Sequence, residues 1–466
     1  MDRVNRKNYY LNGLLMLSLI FYGWHVPEYL LIILTCVLTN YVAGRLLSSI
    51  PLTHRVARQV VIAAVICINV GLLAYFKYAA FLVDLFCDLF GYKIPSNSLF
   101  SALDIVLPIG ISFYTFQSLS YTIDVYRGQQ AAERSLARFA LFVAFFPQLI
   151  AGPIVRANQF FYQLSRKRRV RWSVFMEGCY LILRGLFLKL VIADNLGQVV
   201  DRYWTAGTQP DAPATLALSL VVLFSCQIFC DFAGYTDIAR GIAYQLGFRL
   251  PKNFNAPYLA QTFSDFWKRW HITLSLWIRD YLYIPFGGSR GSKLNTCRNL
   301  LIVFVLSGLW HGAGINFILW GALHGFAILI EHATALSTWL ERNKSRPIVT
   351  TTIAFAWFLV VQGTWIMGMA LFRASDGAEA WLVLQKVVSG VVALPLEGLA
   401  YPESKGLITA AWWFTTPVWL IHVRVFLQER FKVRQSIYER TIYAGMMIYA
   451  VLTLYASNPK FIYFQF

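Results

Sequence analysis

The chain has 466 residues, of which 58% are hydrophobic and only 14% are charged. Soluble proteins carry about 25% charged residues, so this composition excludes a conventional soluble domain. Apolar runs long enough to cross about 30 Å of hydrocarbon recur along the chain. The net charge of +18 comes from Lys and Arg residues, many of them in short loops between these runs. That pattern indicates orientation in a membrane rather than nucleic-acid binding.

In the first half of the chain, apolar segments alternate with basic loops. The predicted segments are Leu11–Trp24, Tyr29–Leu47, Val60–Phe81 and Leu103–Val125. Lys and Arg residues then dominate Arg127–Arg171, which marks this stretch as cytoplasmic. Within it, Phe139–Val155 is apolar but is interrupted by Pro147 and by Gly152 and Pro153. We therefore expect a re-entrant element, which is tolerated only where protein or a water-filled cavity covers its backbone.

The second half continues the same alternation. Its apolar segments are Trp172–Val200, Leu216–Ala239, Asn299–Glu331, Val349–Leu371, Trp381–Leu399, Ala410–Val425 and Tyr443–Tyr455. The basic stretch Arg240–Arg298 is again expected on the cytoplasmic side. Asp231 and Asp237, at the inner end of one segment, either line a polar channel or form ion pairs, for instance with Arg240. We predict an all-α, polytopic membrane protein of roughly ten to twelve transmembrane or re-entrant helices.

The segment Asn253–Lys293 is too charged for a simple span and too aromatic for a simple loop. Apolar residues recur in it at steps of three and four: Phe263, Phe266, Trp267, Trp270, Leu274, Trp277, Ile278 and Tyr281. Lys268, His271, Ser275 and Arg279 fall on the opposite side at the same spacing. This periodicity predicts one amphipathic helix at the cytoplasmic membrane face, with His271 on its polar side. A plain interfacial anchor with a solvated histidine explains the pattern equally well.

A glycine-rich segment, Gly287–Lys293, follows directly. Glycine lets backbone amides approach an anion closely, and Arg290 and Lys293 add positive charge. The segment is therefore suited to holding a phosphate-rich ligand. A flexible cytoplasmic turn has the same composition, so this second interpretation stays open.

The segment Leu306–Gly325 places two histidines, His311 and His324, in an otherwise apolar run. Ionisable residues at membrane depth are costly and usually face a cavity. The small residues around His311 are Ser307, Gly308, Gly312, Ala313 and Gly314. They allow close helix packing and leave room for a substrate beside the imidazole. His311 is thus a candidate general base, the alternative being a hydrogen bond across helices. For His324, packing is the favoured role.

A metal site is a further chemistry to consider. The imidazoles of His271, His311 and His324 could together hold zinc. However, no pair of them has the tight spacing of a metal motif, and no carboxylate lies one helical turn from His311. We expect no metal ion and no bound cofactor.

Four stretches resemble the membrane-bound O-acyltransferase (MBOAT) family, in particular its bacterial branch that O-acetylates exported polysaccharides. They are Leu107–Gly128, Phe145–Arg156, Asn253–Lys293 and Leu306–Gly325. The resemblance implies a single transmembrane domain, residues 1–466, with a catalytic core at residues 103–332 and helices around a central tunnel. His311, in a Trp-His-Gly motif, matches the family's catalytic histidine, and His271 resembles its second position. Members of this branch usually begin with one more apolar segment upstream of Leu11, which leaves the position of the natural start open.

The resemblance also implies a reaction. Acetyl-CoA is the expected donor, and His311 is the expected base for a hydroxyl that enters from the periplasmic side. His271 positions or polarises the thioester. The expected substrate-binding residues are Lys268, Ser275, Arg279, Arg290, Lys293, Trp310 and Asn316, the four basic ones forming a cytoplasmic mouth for coenzyme A. Because a base must be neutral to accept a proton, activity should fall at acid pH.

The expected place of action is the bacterial inner membrane. The expected partners are acetyl-CoA, membrane lipid and a periplasmic protein that relays acetyl groups to an exopolysaccharide such as alginate or cellulose, but not nucleic acid. Two alternatives remain. One is transfer of D-alanine from a carrier-protein thioester within the same superfamily. The other is a transporter or flippase without chemistry, which inverted internal repeats would favour; none is visible.

Overall fold

The computed structural model describes residues 3–24, 26–92, 107–166, 170–336, 339, 342–343, 347–397, 405–433 and 435–456. Every regular element in these residues is helical, which confirms the all-α prediction. Two compact units, each described by itself, are Met1–Phe175 with Ile242–Pro251, and Met176–Gly241 with Lys252–Phe466. The single domain with a core at 103–332 stays a prediction. Residues 103–106 and 398–399 of the predicted segments lie outside the described residues.

The first unit is built from short and long helices joined by buried polar contacts. Its helices are α1 (Arg3–Gly23), α2 (Tyr29–Ser49), α3 (Arg55–Phe90), α4 (Ile111–Tyr126), α5 (Leu136–Ala144), α6 (Phe146–Leu149) and α7 (Ala157–Ser165). Asn40 of α2 donates from Nδ2 to Asn69 Oδ1 of α3 at 2.9 Å. Thr122 of α4 donates from Oγ1 to Asn40 Oδ1 at 2.7 Å. Such hydrogen bonds hold apolar helices together where water does not compete.

The interruption predicted in Phe139–Val155 is present. Helix α5 ends at Ala144, and Phe145 leaves the helical conformation with φ −54° and ψ 106° before α6 begins. This backbone is covered by a cluster of buried aromatic rings. The cluster contains Phe139, Phe142, Phe145, Phe160 and Phe248. The broken, protein-covered segment is thus confirmed, whereas its re-entrant path stays a prediction.

The second unit holds the remaining helices and most of α8 and α10. They are α8 (Trp172–Leu186), α9 (Asp194–Gly207), α10 (Ala214–Gln245), α11 (Phe263–Arg269), α12 (Ile272–Ile278), α13 (Lys293–His311), α14 (Ile315–Thr334), α15 (Pro347–Arg373), α16 (Gly377–Glu397), α17 (Lys405–Phe431) and α18 (Ile437–Leu454). A π-helical segment, Phe187–Ala193, joins α8 to α9, and a second one, Arg279–Tyr283, follows α12. Helices α9, α10, α14, α15, α16 and α17 contribute to one apolar core.

Glycines set the short distance between α8 and α10. A Cβ on Gly185 would lie 2.5 Å from the carbonyl oxygen of Gly234, and a Cβ on Gly241 would lie 2.6 Å from that of Gly178. Any larger residue at these positions would push the helices apart. Small residues at helix interfaces are typical of packing in membranes, where close van der Waals contact replaces the hydrophobic effect as the driving force.

Buried ion pairs join the same two helices. Lys189 Nζ, in the π-helical segment, lies 2.7 Å from Asp194 Oδ1 and 2.8 Å from Asp231 Oδ1. Asp237 pairs with Arg240 at 3.2 Å and with Arg184 Nη2 at 2.5 Å. The pairing of Asp237 with Arg240 is as the sequence suggested, while the partners on α8 and the π-helical segment were not foreseen.

Five of the described helices are long and apolar enough to cross a membrane. These stretches are Tyr29–Ser49, Arg55–Cys87, Ala214–Gln245, Ile315–Thr334 and Ile348–Arg373. The apolar stretch of α3 is only 17% buried, as suits a helix that contacts lipid, whereas that of α10 is 89% buried. Helix α10 therefore runs through protein. The total of ten to twelve segments and the central tunnel stay predictions.

Candidate active site

His311 is the last residue of α13, and the chain turns sharply behind it. Gly312 is extended, Gly314 precedes the first turn of α14, and His311 is only 5% exposed. A Cβ on Gly312 would overlap the ring of Phe317, so only glycine allows this turn without displacement. The turn brings the His311 ring against α14, with its centroid 4.9 Å from that of Trp320.

The sequence predicts that His311 is the base of an acyl transfer, and a displacement near 1 Å at such a group costs about 100-fold in rate. We therefore expect Gly312→Ala to lower the rate of that transfer by about 100-fold. Initial rates at equal membrane levels measure the effect. Gly363→Ala is the matched control, since a Cβ there meets nothing within 4 Å. Adding Phe317→Leu to the Gly312 variant relieves the overlap and should restore much of the rate. An unchanged rate in the single variant would contradict the role of this turn.

His271 lies at a break between two short helices. Helix α11 ends at Arg269, Trp270 is extended, and His271 adopts a left-handed conformation with φ 40° before α12 begins. The prediction of one continuous amphipathic helix is therefore wrong. His271 is 1% exposed, whereas Lys268 is exposed, so the two do not share a polar face.

The cause of the break is a segment upstream that the helical pattern does not include. Asn255 N donates to Arg269 O at 2.9 Å, and Ile272 N donates to Asn253 O at 2.9 Å. These bonds flank the histidine on both sides and replace helical ones. The side chain of Asn253 adds a third hydrogen bond, because its Oδ1 lies 3.2 Å from His271 Nδ1.

Trp310 brings the two histidines into one cluster. Its ring centroid lies 4.9 Å from that of His311 and 5.8 Å from that of His271. Phe372 at the end of α15 covers the other side of His311 at 5.3 Å. The structure therefore collects His271, Trp310 and His311, three residues that the sequence singled out, in the interior of the second unit. We call this group the His–Trp–His cluster.

Burial sets the protonation of His271, which lies outside the candidate spans. Transfer of the charged imidazolium away from water is unfavourable, and this lowers the pKa of His271 below its usual range. The ring is therefore neutral at neutral pH. A neutral imidazole has one donor and one acceptor nitrogen.

The predicted basic residues are found outside this cluster. Lys268, Arg279, Arg290 and Lys293 are all exposed. Arg279 pairs with its neighbour Asp280 at 2.8 Å. Ser275 is half-buried, and its Oγ donates to Trp270 O at 3.4 Å.

The glycine-rich segment Gly287–Lys293 forms a turn that side-chain hydrogen bonds hold in place, and we call it the tied glycine turn. Gly287, Gly288 and Gly291 have positive φ angles of 107°, 58° and 90°. Asn299 Nδ2 donates to Gly288 O at 3.1 Å, and the hydroxyls of Tyr283 and Ser289 are 2.8 Å apart. The turn thus holds a fixed backbone while the side chains of Arg290 and Lys293 remain in contact with solvent.

Asn316 is buried and fastens the end of α15. Its Nδ2 donates to Ala374 O at 2.8 Å and to Leu371 O at 3.3 Å, which satisfies carbonyls that a helix end leaves open. Asn316 therefore has a structural role in the protein, and its contact with substrate stays a prediction.

Asn316 also lines a cavity of about 890 Å³ that lies within the second unit. It is lined by Asp201, Trp204, Thr205, Thr208, Gln209, Pro210, Ala313, Asn316, Phe317, Arg373, Ala374, Ser375, Ala378, Glu379 and Leu382. Arg373 pairs with Asp201 at 2.7 Å, and Trp204 Nε1 donates to Glu379 Oε1 at 2.8 Å. Phe317 lines the cavity, its ring lies 5.2 Å from that of Phe372, and Phe372 lies 5.3 Å from the ring of His311. One aromatic ring therefore separates this polar cavity's lining from the His–Trp–His cluster. Sequence reasoning missed the cavity, because its lining comes from three separate parts of the chain, residues 201–210, 313–317 and 373–382.

His324 lies in aromatic packing. Its ring contacts those of Trp267, Trp320 and Trp365 at centroid distances of 5.2, 4.8 and 5.9 Å. Within the described part of the chain its Nε2 has no hydrogen-bond partner. In that same part, no three His, Cys, Asp or Glu side chains form a group that could hold a metal ion.

Comparison of the sequence with known proteins identifies the family. A sequence model described as "MBOAT, membrane-bound O-acyltransferase family" matches residues 130–372, which include the His–Trp–His cluster. The probable alginate O-acetylase AlgI of Pseudomonas aeruginosa is 38% identical over 82% of this chain and 71% of its own length. The peptidoglycan O-acetyltransferase of Helicobacter pylori is 35% identical over 80% of this chain and 73% of its own length. The teichoic acid D-alanyltransferase of Bacillus subtilis is 28% identical over 53% and 65%, respectively.

These matches confirm the resemblance drawn from the four sequence stretches, and the helices agree with a multi-pass membrane protein. The chain belongs to the membrane-bound O-acyltransferase family.

Proposed function

We propose that this protein is an acetyl-CoA-dependent O-acetyltransferase of the bacterial inner membrane that serves the O-acetylation of an exported polysaccharide. The observation that carries the proposal is the His–Trp–His cluster with a polar cavity beside it. The names of two relatives, an alginate O-acetylase and a peptidoglycan O-acetyltransferase, support acetyl as the group and a polysaccharide as its destination.

In the proposed reaction, His311 takes the proton of an acceptor hydroxyl as its oxygen attacks the thioester carbonyl carbon. The C–O bond forms, the C–S bond breaks, and the imidazolium returns the proton to the departing thiolate. No oxidant, reductant or metal ion enters this balance. General base catalysis of this kind contributes about 10²–10⁴-fold to a rate.

The donor side is supported by positive charge. Lys268, Arg279, Arg290 and Lys293 are exposed, and the last two project from the tied glycine turn. Coenzyme A carries several phosphate charges, which such residues attract. In the proposal these residues form the cytoplasmic docking site, and the acetyl group reaches inward to the cluster.

The acceptor side is supported by the cavity. Its lining combines one arginine with two carboxylates, Asp201 and Glu379, and with the indole of Trp204. Arg373 is already paired with Asp201, so the cavity does not present an unmatched positive charge. A neutral hydroxyl group, such as that of a relay protein's side chain, fits this lining better than the carboxylate of a uronic acid polymer.

The test uses inside-out membrane vesicles that contain the protein, with radiolabelled acetyl-CoA outside. We expect label in covalent products within the lumen and no transfer from a D-alanyl carrier protein. Vesicles with His332→Ala, an exposed histidine at the end of α14, serve as control and should behave like the wild type. Transfer from the D-alanyl carrier alone would favour the D-alanyl alternative. The similarity to the Bacillus subtilis D-alanyltransferase is the reason for testing that alternative. Intact acetyl-CoA in the lumen would instead identify a transporter.

A further inference from the structure

Asn253 is the focus of three hydrogen bonds at the break that holds His271. Its Oδ1 lies 3.2 Å from Thr273 N, 3.0 Å from Thr273 Oγ1 and 3.2 Å from His271 Nδ1. Asn253 is 1% exposed. The side chain is therefore held in one position by the residue at the break, His271, and by Thr273 in the first turn of α12.

The partners identify which atom of the amide faces them. A backbone N–H can only donate, so the atom that lies against Thr273 N must be the amide oxygen and not its nitrogen. The same oxygen faces His271 Nδ1. An amide oxygen can only accept a hydrogen bond, so the atom that faces it must be the donor. Nδ1 must therefore carry the proton, which leaves the lone pair of the neutral ring on Nε2.

Three aromatic rings pack around the imidazole of His271. Phe232 contacts it at 4.7 Å in an edge-on arrangement, Trp310 at 5.8 Å and Phe254 at 6.5 Å. The backbone of His271 is in the left-handed region, with φ 40°, which is unfavourable for a residue other than glycine. The bonds from Ile272 N to Asn253 O and from Asn255 N to Arg269 O hold it there.

We propose that Asn253 is a positioning residue that fixes His271 as the Nδ1–H tautomer and thereby makes Nε2 a hydrogen-bond and proton acceptor. The burial of His271 supports a neutral ring at neutral pH. The single donor of that ring is used on Asn253, so the ring cannot also donate to the carbonyl oxygen of a thioester. His271 instead receives a hydrogen bond from a hydroxyl or thiol group at the cluster. This catalytic consequence rests on the proposed function, whereas the tautomer does not.

Two substitutions separate positioning from packing. Asn253→Leu keeps the volume and removes the acceptor. Asn253→Asp keeps the acceptor oxygen, and its second oxygen replaces an amide nitrogen that has no hydrogen-bond partner in the described part of the chain. The aspartate variant therefore breaks none of the three bonds, whether its carboxyl group is ionised or protonated.

The direct readout is nitrogen NMR of the full chain in nanodiscs, with ¹⁵N-labelled histidine and with His271→Asn to assign the signal. We expect the wild type and Asn253→Asp to show a protonated Nδ1 and an unprotonated Nε2. Asn253→Leu should show a mixture of tautomers. Asn40→Leu is the matched control, because it removes an equally buried asparagine network in the first unit and should leave the His271 signal unchanged. A protonated Nε2 in the wild type would overturn the proposal.

Transfer rates give the second readout. We expect Asn253→Leu to lower the rate by about 10- to 100-fold, by analogy with the loss of a group that orients a metal-bound histidine. Asn253→Asp should restore most of it. If Asn253→Leu keeps the wild-type rate at an equal membrane level, the positioning role fails even where the tautomer is as expected. Failure of the proposed function would look different, since His311 variants would then be active.

Discussion

Replacing His311 by alanine is expected to lower the rate of acyl transfer by about 10²–10⁴-fold, the contribution of a positioned general base. The imidazole is 5% exposed, ends α13 and lies within ring contact of Trp310, Trp320 and Phe372. Alanine removes the only ionisable group of the Trp-His-Gly turn without adding volume. The acceptor hydroxyl would then have to lose its proton without a base.

The measurement is the initial rate of labelled acetyl transfer in inside-out vesicles, normalised to the amount of folded protein. His332→Ala is the control for loss of a histidine at an exposed position. His324→Ala is a second control, because its ring lies among Trp267, Trp320 and Trp365, where the expected defect is in stability. A His311→Ala protein that transfers acetyl at the wild-type rate would refute the assignment of the base.

Much of the fold and the close packing around His311 could be predicted because they depend on local sequence. Long apolar runs predicted the helices, and prolines with glycines predicted the interruption at Phe139–Val155. The small residues around His311 predicted close packing, which Gly312 shows directly. Family membership followed from long motifs, and the comparisons confirmed it.

The helix predicted across Phe263–Tyr281 failed for a physical reason. Side-chain periodicity reports which residues could share a face, but it does not report backbone bonds to a distant segment. Here Asn253 and Asn255 supply those bonds, and they end one helix at Arg269 and start the next at Ile272. His271 consequently points into the core instead of toward solvent.

Partners that are far apart in the sequence were missed for the same reason. Asp231 was recognised as an acid in an apolar run, but its cation lies on the π-helical segment before α9. Lys189 and Asp194 are five residues apart, which is the spacing of a π-helical turn and not of an α-helix, and Asp231 lies on a different helix. The α-helical spacing that sequence reasoning uses therefore links Lys189 to neither acid. The pairing becomes visible only when the two helices are packed together.

That pairing leads to the second large effect, which concerns stability. Lys189→Met is expected to lower the free energy of unfolding of the second unit by about 3–5 kcal/mol, because it leaves two buried carboxylates without their cation. Asp194 and Asp231 are 3% and 2% exposed, so water cannot replace the ammonium group. Methionine has a similar length, and the change therefore tests charge rather than volume.

Thermal unfolding of the detergent-solubilised protein, followed by size-exclusion chromatography, measures this loss. Lys252→Met, at an exposed position, is the matched control and should unfold like the wild type. Combining Lys189→Met with Asp194→Asn and Asp231→Asn should recover most of the stability, because no uncompensated charge then remains in the interior. A single Lys189→Met variant as stable as the wild type would mean that the three groups are hydrated in the native protein. Recovery in the triple variant, with transfer activity retained, would show that unpaired charge causes the loss in the single variant and that Lys189, Asp194 and Asp231 take no part in the chemistry at His311.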